Sequence, residues 1–334
     1  MNERLLDVRS LRTNFLTGGG IVNAVRGINF HVDKGEFLGV AGESGCGKSV
    51  TMLSVMRLLP DTARVQSQGI LFDGVDLQTQ KMKYMRSIQG NKIGMIFQDP
   101  MTCLNPLYTI GNQLMEPLQI HKKLSRKEAR KRAAEMLDLV GIPNPERRLR
   151  QYPHEFSGGM RQRAMIAMAM SCDPKLLIAD EPTTALDVTI QAQILDLMKN
   201  LKQKFDTSTA LITHDLGVIA SVCTRVIIMY GGLIMEQGYV EDIFYRPAHP
   251  YTIGLLKSVP SAGERTQEQL TPIPGTPPDL MNPPPGCPFA ARCSVAMKIC
   301  ALAQPELHEV GDNHAAACWL NHPKASHMKG RLEV

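Results

Sequence analysis

A glycine-rich segment near residue 45 has the residue types and the spacing of a phosphate-binding loop. It reads GESGCGKS, follows an apolar run that predicts a strand, and opens a predicted helix, as the pattern G-x-x-x-x-G-K-[ST] requires. Glycines let backbone N–H groups turn toward phosphate oxygens, while the lysine reaches the β- and γ-phosphates and the serine can coordinate Mg²⁺. The residues predicted to bind a nucleoside triphosphate are Gly42, Glu43, Ser44, Gly45, Cys46, Gly47, Lys48 and Ser49.

Two adjacent acidic residues end an apolar run later in the chain. Residues 176–179 read LLIA and are followed by Asp180 and Glu181. At the end of a strand beside a phosphate-binding loop, Asp180 would hold Mg²⁺ and Glu181 would accept a proton from the attacking water. An apolar run that ends in acids is a weak signal alone, but together with the phosphate loop it predicts nucleotide hydrolysis.

A serine followed by two glycines begins another predicted helix, between the loop and the acidic pair. The run FSGGMRQR contains Ser157, Gly158 and Gly159. A helix that starts this way can bind an anion through its first N–H groups, although an ordinary N-cap is the commoner explanation for a lone serine. Its position between the other two motifs favours a role in nucleotide binding.

Alternating strand-like and helix-like segments must position these residues, which predicts an α/β fold with mainly parallel strands and some antiparallel pieces. A capping box, Ser125 with Glu128, begins one helix whose apolar positions share a face. Gly231 and Gly232 predict a hairpin turn. The predicted strands are 36–41, 71–77 (with a turn at Asp73-Gly74 inside it), 92–97, 176–179, 209–213, 226–229 and 233–236.

Length and composition limit the alternatives. The 334 residues predict about two domains, and 37 Lys and Arg against 32 Asp and Glu leave a net charge of +5, which is too small to require a polyanionic partner. The basic cluster at 122–132 could be a nucleic-acid patch, but a solvated helix face is the commoner explanation and no aromatic residue interleaves it. We therefore expect no nucleic-acid partner. No apolar run has the ~20 residues of a membrane span, and the first residues lack a signal-peptide core, so a cytosolic chain is expected.

The cysteines divide into two groups. Four of the eight are scattered before residue 224, and four follow a segment, 258–285, that holds eight of the 22 prolines. Proline excludes helix and central strand, so this segment predicts an extended linker between a first domain, 1–257, and a small module, 286–334. The module contains Cys287, Cys293, Cys300 and Cys318. Their spacing lacks a C-x-x-C pair and so matches a zinc ribbon poorly, whereas an iron–sulfur cluster tolerates more varied spacing. The cluster, a zinc site and four reduced thiols in a small core remain the alternatives.

Taken in order, these motifs resemble the nucleotide-binding subunits of ABC transporters, and the resemblance covers 1–257. The FSGGM run resembles the family signature LSGGQ, with Phe156 in place of leucine and Met160 in place of glutamine. Further matches are Gln98 in IFQDP, Asp187 in the segment Ala185-Leu186-Asp187, and His214 in LITHD. Phe15 is a looser match to the aromatic residue that stacks on adenine, and a core phenylalanine explains it equally well.

The resemblance implies a fold and a mechanism. The implied fold is a P-loop NTPase core of the ABC type with an antiparallel β subdomain, a helical subdomain at about 100–170 and a small Cys-containing module. The implied reaction is ATP hydrolysis in a head-to-tail dimer, where Ser157, Gly158 and Gly159 of one subunit complete the ATP site of the other and Asp187 lies in the loop that crosses the interface. Glu181, His214 and Gln98 are then catalytic, and Mg²⁺ is held through Ser49, Gln98 and Asp180.

The final part of the chain narrows the family. The run PGCPFAARCSVAMKIC, with a later Cys-Trp pair, is similar to the C-terminal region of ATPases from bacterial oligopeptide and dipeptide importers, some of which carry a [4Fe–4S] cluster. FSGGMRQR resembles the D-type rather than the F-type ATPase of these importers. The implied partners are therefore an F-type subunit in a heterodimer, two membrane permease subunits and, indirectly, a periplasmic peptide-binding protein. The implied location is the cytoplasmic face of the bacterial inner membrane.

Other functions are considered beside this one. ATPases of the same fold import glutathione, metal–ligand complexes or haem. Members in DNA repair insert long coiled coils or zinc modules between the loop and the signature, and members in translation carry two nucleotide-binding halves. This chain shows one half and no sustained heptads. A redox sensor, in which the cysteine module controls the ATPase, is the third alternative.

Overall fold

The computed structural model describes residues 3–184, 187–258 and 272–325, apart from the side chains of residues 100 and 101. These residues divide into two compact units. The first unit comprises the described residues within 1–5, 32–37 and 77–212, and the second comprises those within 6–31, 38–76 and 213–334. The domain limits predicted at 257 and 286 stay a prediction, and the described part of the cysteine-containing module belongs to the second unit.

The strands in chain order are β1 (Arg4–Thr17), β2 (Gly20–Asp33), β3 (Phe37–Ala41), β4 (Ala63–Gln66), β5 (Gly69–Phe72), β6 (Val75–Asp76), β7 (Ile93–Ile96), β8 (Leu176–Asp180), β9 (Ser208–Ile212), β10 (Arg225–Tyr230), β11 (Leu233–Tyr239), β12 (His308–Gly311) and β13 (His314–Ala316).

The helices in chain order are α1 (Lys48–Met56), α2 (Met82–Ile88), α3 (Pro100–Cys103), α4 (Ile110–His121), α5 (Arg126–Leu139), α6 (Pro145–Arg148), α7 (Gly158–Met170), α8 (Val188–Phe205), α9 (Leu216–Val222), α10 (Val240–Tyr245), α11 (Pro250–Lys257) and α12 (Lys298–Leu302). Among these helices, none has the length and apolar character needed to cross a bilayer.

In the first unit, β7, β8 and β9 are parallel and adjacent, with Ile93 opposite Leu176 and Leu176 opposite Ser208. Strands β8 and β9 are buried along their whole length, which is why their sequences read as continuous runs with little alternation. Helices α4, α5 and α7 pack on one another. The predicted capping box at Ser125 is confirmed, because the serine side chain accepts from Glu128 N and Glu128 accepts from Ser125 N.

In the second unit, an antiparallel sheet has the order β2-β1-β5-β6, with β4 also paired to β1. The two long strands β1 and β2, of 14 residues each, were not predicted. The predicted run 71–77 is two short strands, β5 and β6, because Asp73 and Gly74 both have positive φ, 51° and 78°, and reverse the chain.

The second unit also contains the strand that leads into the phosphate loop. Strand β3 pairs in parallel with β10, which pairs antiparallel with β11 around Gly231 and Gly232, so the predicted hairpin is confirmed. The C-terminal strands then continue this arrangement, with β13 antiparallel to β11 and β12 antiparallel to β13. The strands that follow the proline-rich segment, β12 and β13, therefore belong to the same sheet as β3.

Candidate nucleotide site

The phosphate loop joins β3 to α1, and two of its glycines lie where a side chain would meet neighbouring backbone. Gly42 has a φ of +145°, and a Cβ placed there would lie 2.1 Å from the carbonyl oxygen of Met229. Gly47 has a φ of +103°, and its Cβ would lie 2.5 Å from the carbonyl oxygen of Ala24. The backbone of the loop is thus packed directly against two neighbouring strands, which holds its curvature.

Lys48 lies at the centre of this loop. Its side chain is buried, at 6% exposure, and Nζ donates to the carbonyl oxygens of Gly42 at 2.7 Å and Glu43 at 2.9 Å. Cys46 lies beside it, with Sγ 3.8 Å from Nζ, and burial raises the pKa of this thiol although Lys48 opposes the shift. Ser49, half-buried, follows on the first turn of α1. A lysine amine that lies inside a glycine-rich loop at the start of a helix is the arrangement expected of a triphosphate-binding site.

Two further predicted residues lie in the second unit. His214 is exposed and comes just after β9, and its neighbour Thr213 donates N–H to the carbonyl of Val40 on β3 at 3.1 Å. The segment bearing the histidine is therefore attached to the strand that enters the phosphate loop. Phe15 is half-buried on β1, opposite Ala63. The roles given to His214 and Phe15 stay predictions.

The acidic pair lies in the first unit and ends β8. Asp180 is buried at 6% exposure, whereas Glu181 leaves the strand with a φ of +45°, a left-handed conformation that is uncommon for glutamate. One oxygen of Glu181, Oε2, accepts from Gln98 Nε2 at 3.0 Å and from Thr184 Oγ1 at 2.9 Å. The structure therefore brings together two of the three predicted catalytic residues, Gln98 and Glu181.

Two residues that hold this segment were missed from the sequence. Thr184 orients the Glu181 carboxylate, and its position three residues later is a spacing at which a hydroxyl can reach back. Gln162, which is 2% exposed on α7, donates Nε2 to the carbonyl of Pro182 at 2.5 Å. Because Gln162 belongs to the FSGGMRQR run, the helix of this motif is bonded to the segment that directly follows Glu181. Its place in that run was a signal that could have been used.

The SGG motif begins α7, and its first two residues are exposed. Ser157 is the N-cap and accepts from Met160 N at 3.3 Å, and both Ser157 and Gly158 are exposed. No described atom lies within 4 Å of a Cβ added at Gly158, whereas one at Gly159 would contact Ile190 at 3.4 Å.

Asp187 caps the next helix in the same unit. Its side chain is exposed and accepts from Ile190 N at 2.9 Å, which makes it the N-cap of α8. Ala185 and Leu186, predicted to form an interface loop with it, lie outside the described residues.

Comparison with known proteins decides the family. Residues 25–184 match the ABC transporter family, and residues 235–300 match the family described as the C-terminal region of oligopeptide/dipeptide transporters. The chain is 58% identical over 323 residues to the oligopeptide transport ATP-binding protein OppD of Bacillus subtilis, covering 96% of this chain and 90% of the relative. The chain belongs to the ATP-binding proteins of ABC transporters, in the oligopeptide/dipeptide group. It is an ATP hydrolase of that family.

Other relatives agree with this assignment. The dipeptide transport ATP-binding protein DppD of B. subtilis is 57% identical over 326 residues, which are 97% of each chain. Among solved structures, a dimeric post-hydrolysis state of an ATP-binding cassette bound to ADP and Pi matches with a TM-score of 0.64 and 27% identity, over 70% of this chain and 98% of that one. The ABC-type α/β fold expected from the sequence is confirmed.

The four C-terminal cysteines line one cavity of about 20 Å³, together with His249, Trp319 and apolar residues. Cys287, Cys300 and Cys318 are buried, and Cys293 is partly exposed. Burial raises the pKa of Cys287 to about 11 and of Cys318 to about 12, which favours neutral thiols. Within the described ranges, no group of three or more His, Cys, Asp or Glu side chains is arranged to hold a metal ion.

Proposed function

We propose that this protein hydrolyses ATP to drive the import of dipeptides or oligopeptides through an ABC transporter, as a D-type subunit resembling that of a dipeptide permease. The observation that carries the proposal is the combination, in one chain, of a formed phosphate loop with the C-terminal region of oligopeptide/dipeptide transporters. Both the OppD and the DppD relatives match along nearly the whole chain.

The residues of the chain divide the work of hydrolysis. Lys48 and the N–H groups of the loop bind the phosphates, and Glu181 accepts the proton of the attacking water. Two hydrogen bonds, from Gln98 and Thr184, orient the Glu181 carboxylate, so this base does not have to be ordered at the moment of reaction. His214 contacts the γ-phosphate and Phe15 stacks on adenine in this proposal.

The oxygen donors fit Mg²⁺. A hydroxyl at Ser49, an amide oxygen at Gln98 and a carboxylate at Asp180 are the hard ligands this ion prefers. The amide nitrogen of Gln98 already donates to Glu181, so its oxygen is the end suited to the metal. When bound, Mg²⁺ neutralises charge on the phosphates.

A second ATPase subunit completes the site. Gly158 is exposed and no described atom approaches its outer side, so nothing in the described chain explains why a glycine stands there. A phosphate group of ATP bound to the partner does explain it, since Ser157, Gly158 and Gly159 form a helix start that binds anions. Asp187 lies in the same interface. An F-type subunit is the proposed partner, in a head-to-tail heterodimer.

Two membrane permease subunits and a periplasmic peptide-binding protein are the remaining proposed partners, with this chain on the cytoplasmic face of the bacterial inner membrane. Leu107 and Tyr108, between α3 and α4, are 80% and 55% exposed. Adjacent exposed apolar side chains are suited to a protein surface that binds them, and they follow Gln98 closely in the chain.

Co-purification and reconstitution test the proposal. The tagged chain should recover an F-type ATPase and two permeases, and the complex in proteoliposomes should hydrolyse ATP faster when a peptide-loaded binding protein is added. A matched complex with K48A is the control for ATP dependence. Stimulation by glutathione, haem or a metal–ligand complex in place of peptides would replace the substrate class, and recovery of DNA or ribosomes would reject transport.

We further propose that the cysteine cavity binds a [4Fe–4S] cluster through Cys287, Cys293, Cys300 and Cys318. The number of donors supports this, because four cysteines line one cavity and such a cluster takes four thiolates, although the side chains as described are not arranged to hold a metal ion. Among the described residues that line the cavity, His249 is also titratable, and its Nδ1 accepts from Tyr251 N. Burial lowers the pKa of His249 to about 3, so it is neutral at physiological pH. When bound, the cluster supplies a one-electron redox centre.

Anaerobic purification distinguishes the possible occupants. Iron and acid-labile sulfide in about 4:4 stoichiometry with visible charge-transfer absorption, both lost in C287S, are expected. Stoichiometric zinc in place of iron, or a metal-free chain with the same unfolding temperature, would reject the cluster.

A further inference from the structure

A partly buried ion pair joins the phosphate loop to the cysteine-containing region. Arg292, directly before Cys293, donates Nη1 to Glu43 Oε2 at 2.7 Å. The Arg292 side chain is 6% exposed and that of Glu43 is 23% exposed. Glu43 is the second residue of the GESGCGKS loop, so the cation reaches into the nucleotide-binding segment from a region 249 residues away in sequence.

The geometry holds the guanidinium firmly. Nη1 also donates to Tyr230 Oη at 3.0 Å, while Nε and Nη2 donate to the carbonyl oxygens of Pro274 and Ile273 at 2.9 Å and 3.1 Å. The cation lies 5.6 Å from the centre of the Tyr230 ring. Burial opposes the charge of Arg292, but the hydrogen bonds to Glu43 and Tyr230 outweigh it and raise its pKa. The planar fork of arginine suits this set of acceptors, and lysine would satisfy fewer of them.

Glu43 is also fixed from its backbone. Its N–H donates to Tyr251 Oη at 2.9 Å, and Tyr251 packs on Tyr230 with ring centres 4.6 Å apart. The carboxylate and the N–H of one loop residue are therefore both held by groups outside the loop. The negative charge of Glu43 is unfavourable for ATP binding, because a carboxylate in this loop would repel a triphosphate that carries several negative charges.

We propose that Arg292 is a positioning residue for ATP binding, which neutralises Glu43 and holds its carboxylate away from the phosphates. The inference rests on the proposed role of the loop in binding ATP. It assigns a function to the C-terminal region beyond holding a cofactor, because the phosphate loop has a compensated charge only while this region is folded against it.

A double-mutant cycle with the full chain tests the inference. R292Q should weaken binding of a fluorescent ATP analogue roughly tenfold at low ionic strength, which is about 1.4 kcal/mol. R292K keeps the charge and should weaken it less than about threefold. In the E43Q background the same R292Q change should have less than about a twofold effect, because no carboxylate remains to be neutralised. The loss should shrink in high salt, and AMP should show less of it than ATP.

A merely structural role predicts different results. R292Q would then weaken binding equally in both backgrounds, and that result, or no effect of R292Q at all, would overturn the inference. The matched control is R26Q, because Arg26 donates to the carbonyl oxygens of Gly231 and Pro284, each at 3.3 Å, rather than to the Glu43 carboxylate. R26Q should leave ATP affinity within twofold.

Two further measurements keep the test independent of folding and of the proposed function. If R292Q does not fold, E43Q alone tests the inference. Removing the carboxylate while Arg292 stays charged should tighten ATP binding at low salt. Weaker binding by E43Q would contradict the inference. The wild-type chain serves as the reference. If it does not bind ATP, the proposed function fails and this inference with it, whereas wild-type binding with an unaltered R292Q rejects only the inference.

Discussion

The phosphate loop and the SGG motif are both glycine-containing helix starts, but the structure surrounds them in opposite ways. The loop is packed, with Gly42 against the Met229 carbonyl and Lys48 6% exposed. The motif is open, with Ser157 and Gly158 exposed. The first is shaped by its own chain before any nucleotide arrives, whereas the second offers a surface to another molecule. That difference is the one expected if the phosphate loop is the preorganised half of an ATP site and an SGG motif from a partner subunit is the other half.

The largest effect is expected at Glu181, in the unit with the open motif. E181Q keeps the shape and the hydrogen-bond acceptor but removes the base, so single-turnover hydrolysis should fall by about 10²–10⁴-fold. ATP affinity, measured by equilibrium binding, should change little because the phosphate-binding groups lie elsewhere. T184V is the comparison, because it leaves the carboxylate but removes the Thr184 hydroxyl that donates to it. Unchanged turnover in E181Q would mean that another group is the base.

The packed character of the loop can be tested at Gly42. G42A should lower the free energy of unfolding by about 2–4 kcal/mol, because the new Cβ meets a backbone oxygen at 2.1 Å and the φ of +145° is strained for alanine. Urea unfolding of the full chain measures this. The control is G45A, whose φ is +77° but whose Cβ would have no described atom within 4 Å. It should lose only about 1 kcal/mol. Equal losses would show that packing does not shape the loop.

The second unit should also be sensitive to acid through His249. Its folded pKa, about 3, lies below the ordinary 6.5, so between these values the unfolded chain binds a proton that the folded chain does not. Stability therefore falls as the pH falls, by about 1 kcal/mol between pH 6.5 and 5.5. H249N keeps a side-chain acceptor for Tyr251 N and cannot titrate. The pH dependence of unfolding in wild type minus that in H249N isolates the contribution, and a zero difference contradicts it.

The smallest effect on stability is expected at Gly158. G158A should change the free energy of unfolding by less than about 0.5 kcal/mol, because no described atom is near the new methyl group. Hydrolysis by the assembled transporter should nevertheless fall severalfold, since in the proposed dimer the methyl group would stand where the partner subunit binds ATP. A loss of stability as large as that of G42A would remove the contrast between the two helix starts.

Local sequence patterns were sufficient to predict the features that are formed by a few consecutive residues. The phosphate loop, the Ser125 capping box and the Gly231-Gly232 hairpin each depend on a few consecutive residues, and the structure has all three. The long strands β1 and β2 were missed although parts of them alternate, as at 28–33, because their stability comes from pairing with partners distant in sequence. Thr184 and Gln162 were missed because their sequence signals, the spacing from Glu181 and the place in the FSGGMRQR run, do not specify which group a hydroxyl or an amide will bond.

The sequence by itself determined which chemical groups are present: the glycines and the lysine that are predicted to bind phosphate, Asp180 and Glu181, which are predicted to act on Mg²⁺ and water, and four cysteines after a proline-rich segment. Only the tertiary structure decided how these groups are held. The Glu181 carboxylate is bonded by Gln98, from 83 residues earlier, and the Glu43 carboxylate by Arg292, from 249 residues later. Residue types and spacing fix the charges and donors a chain can offer, but their pairing depends on chain folding, which brings together residues distant in sequence.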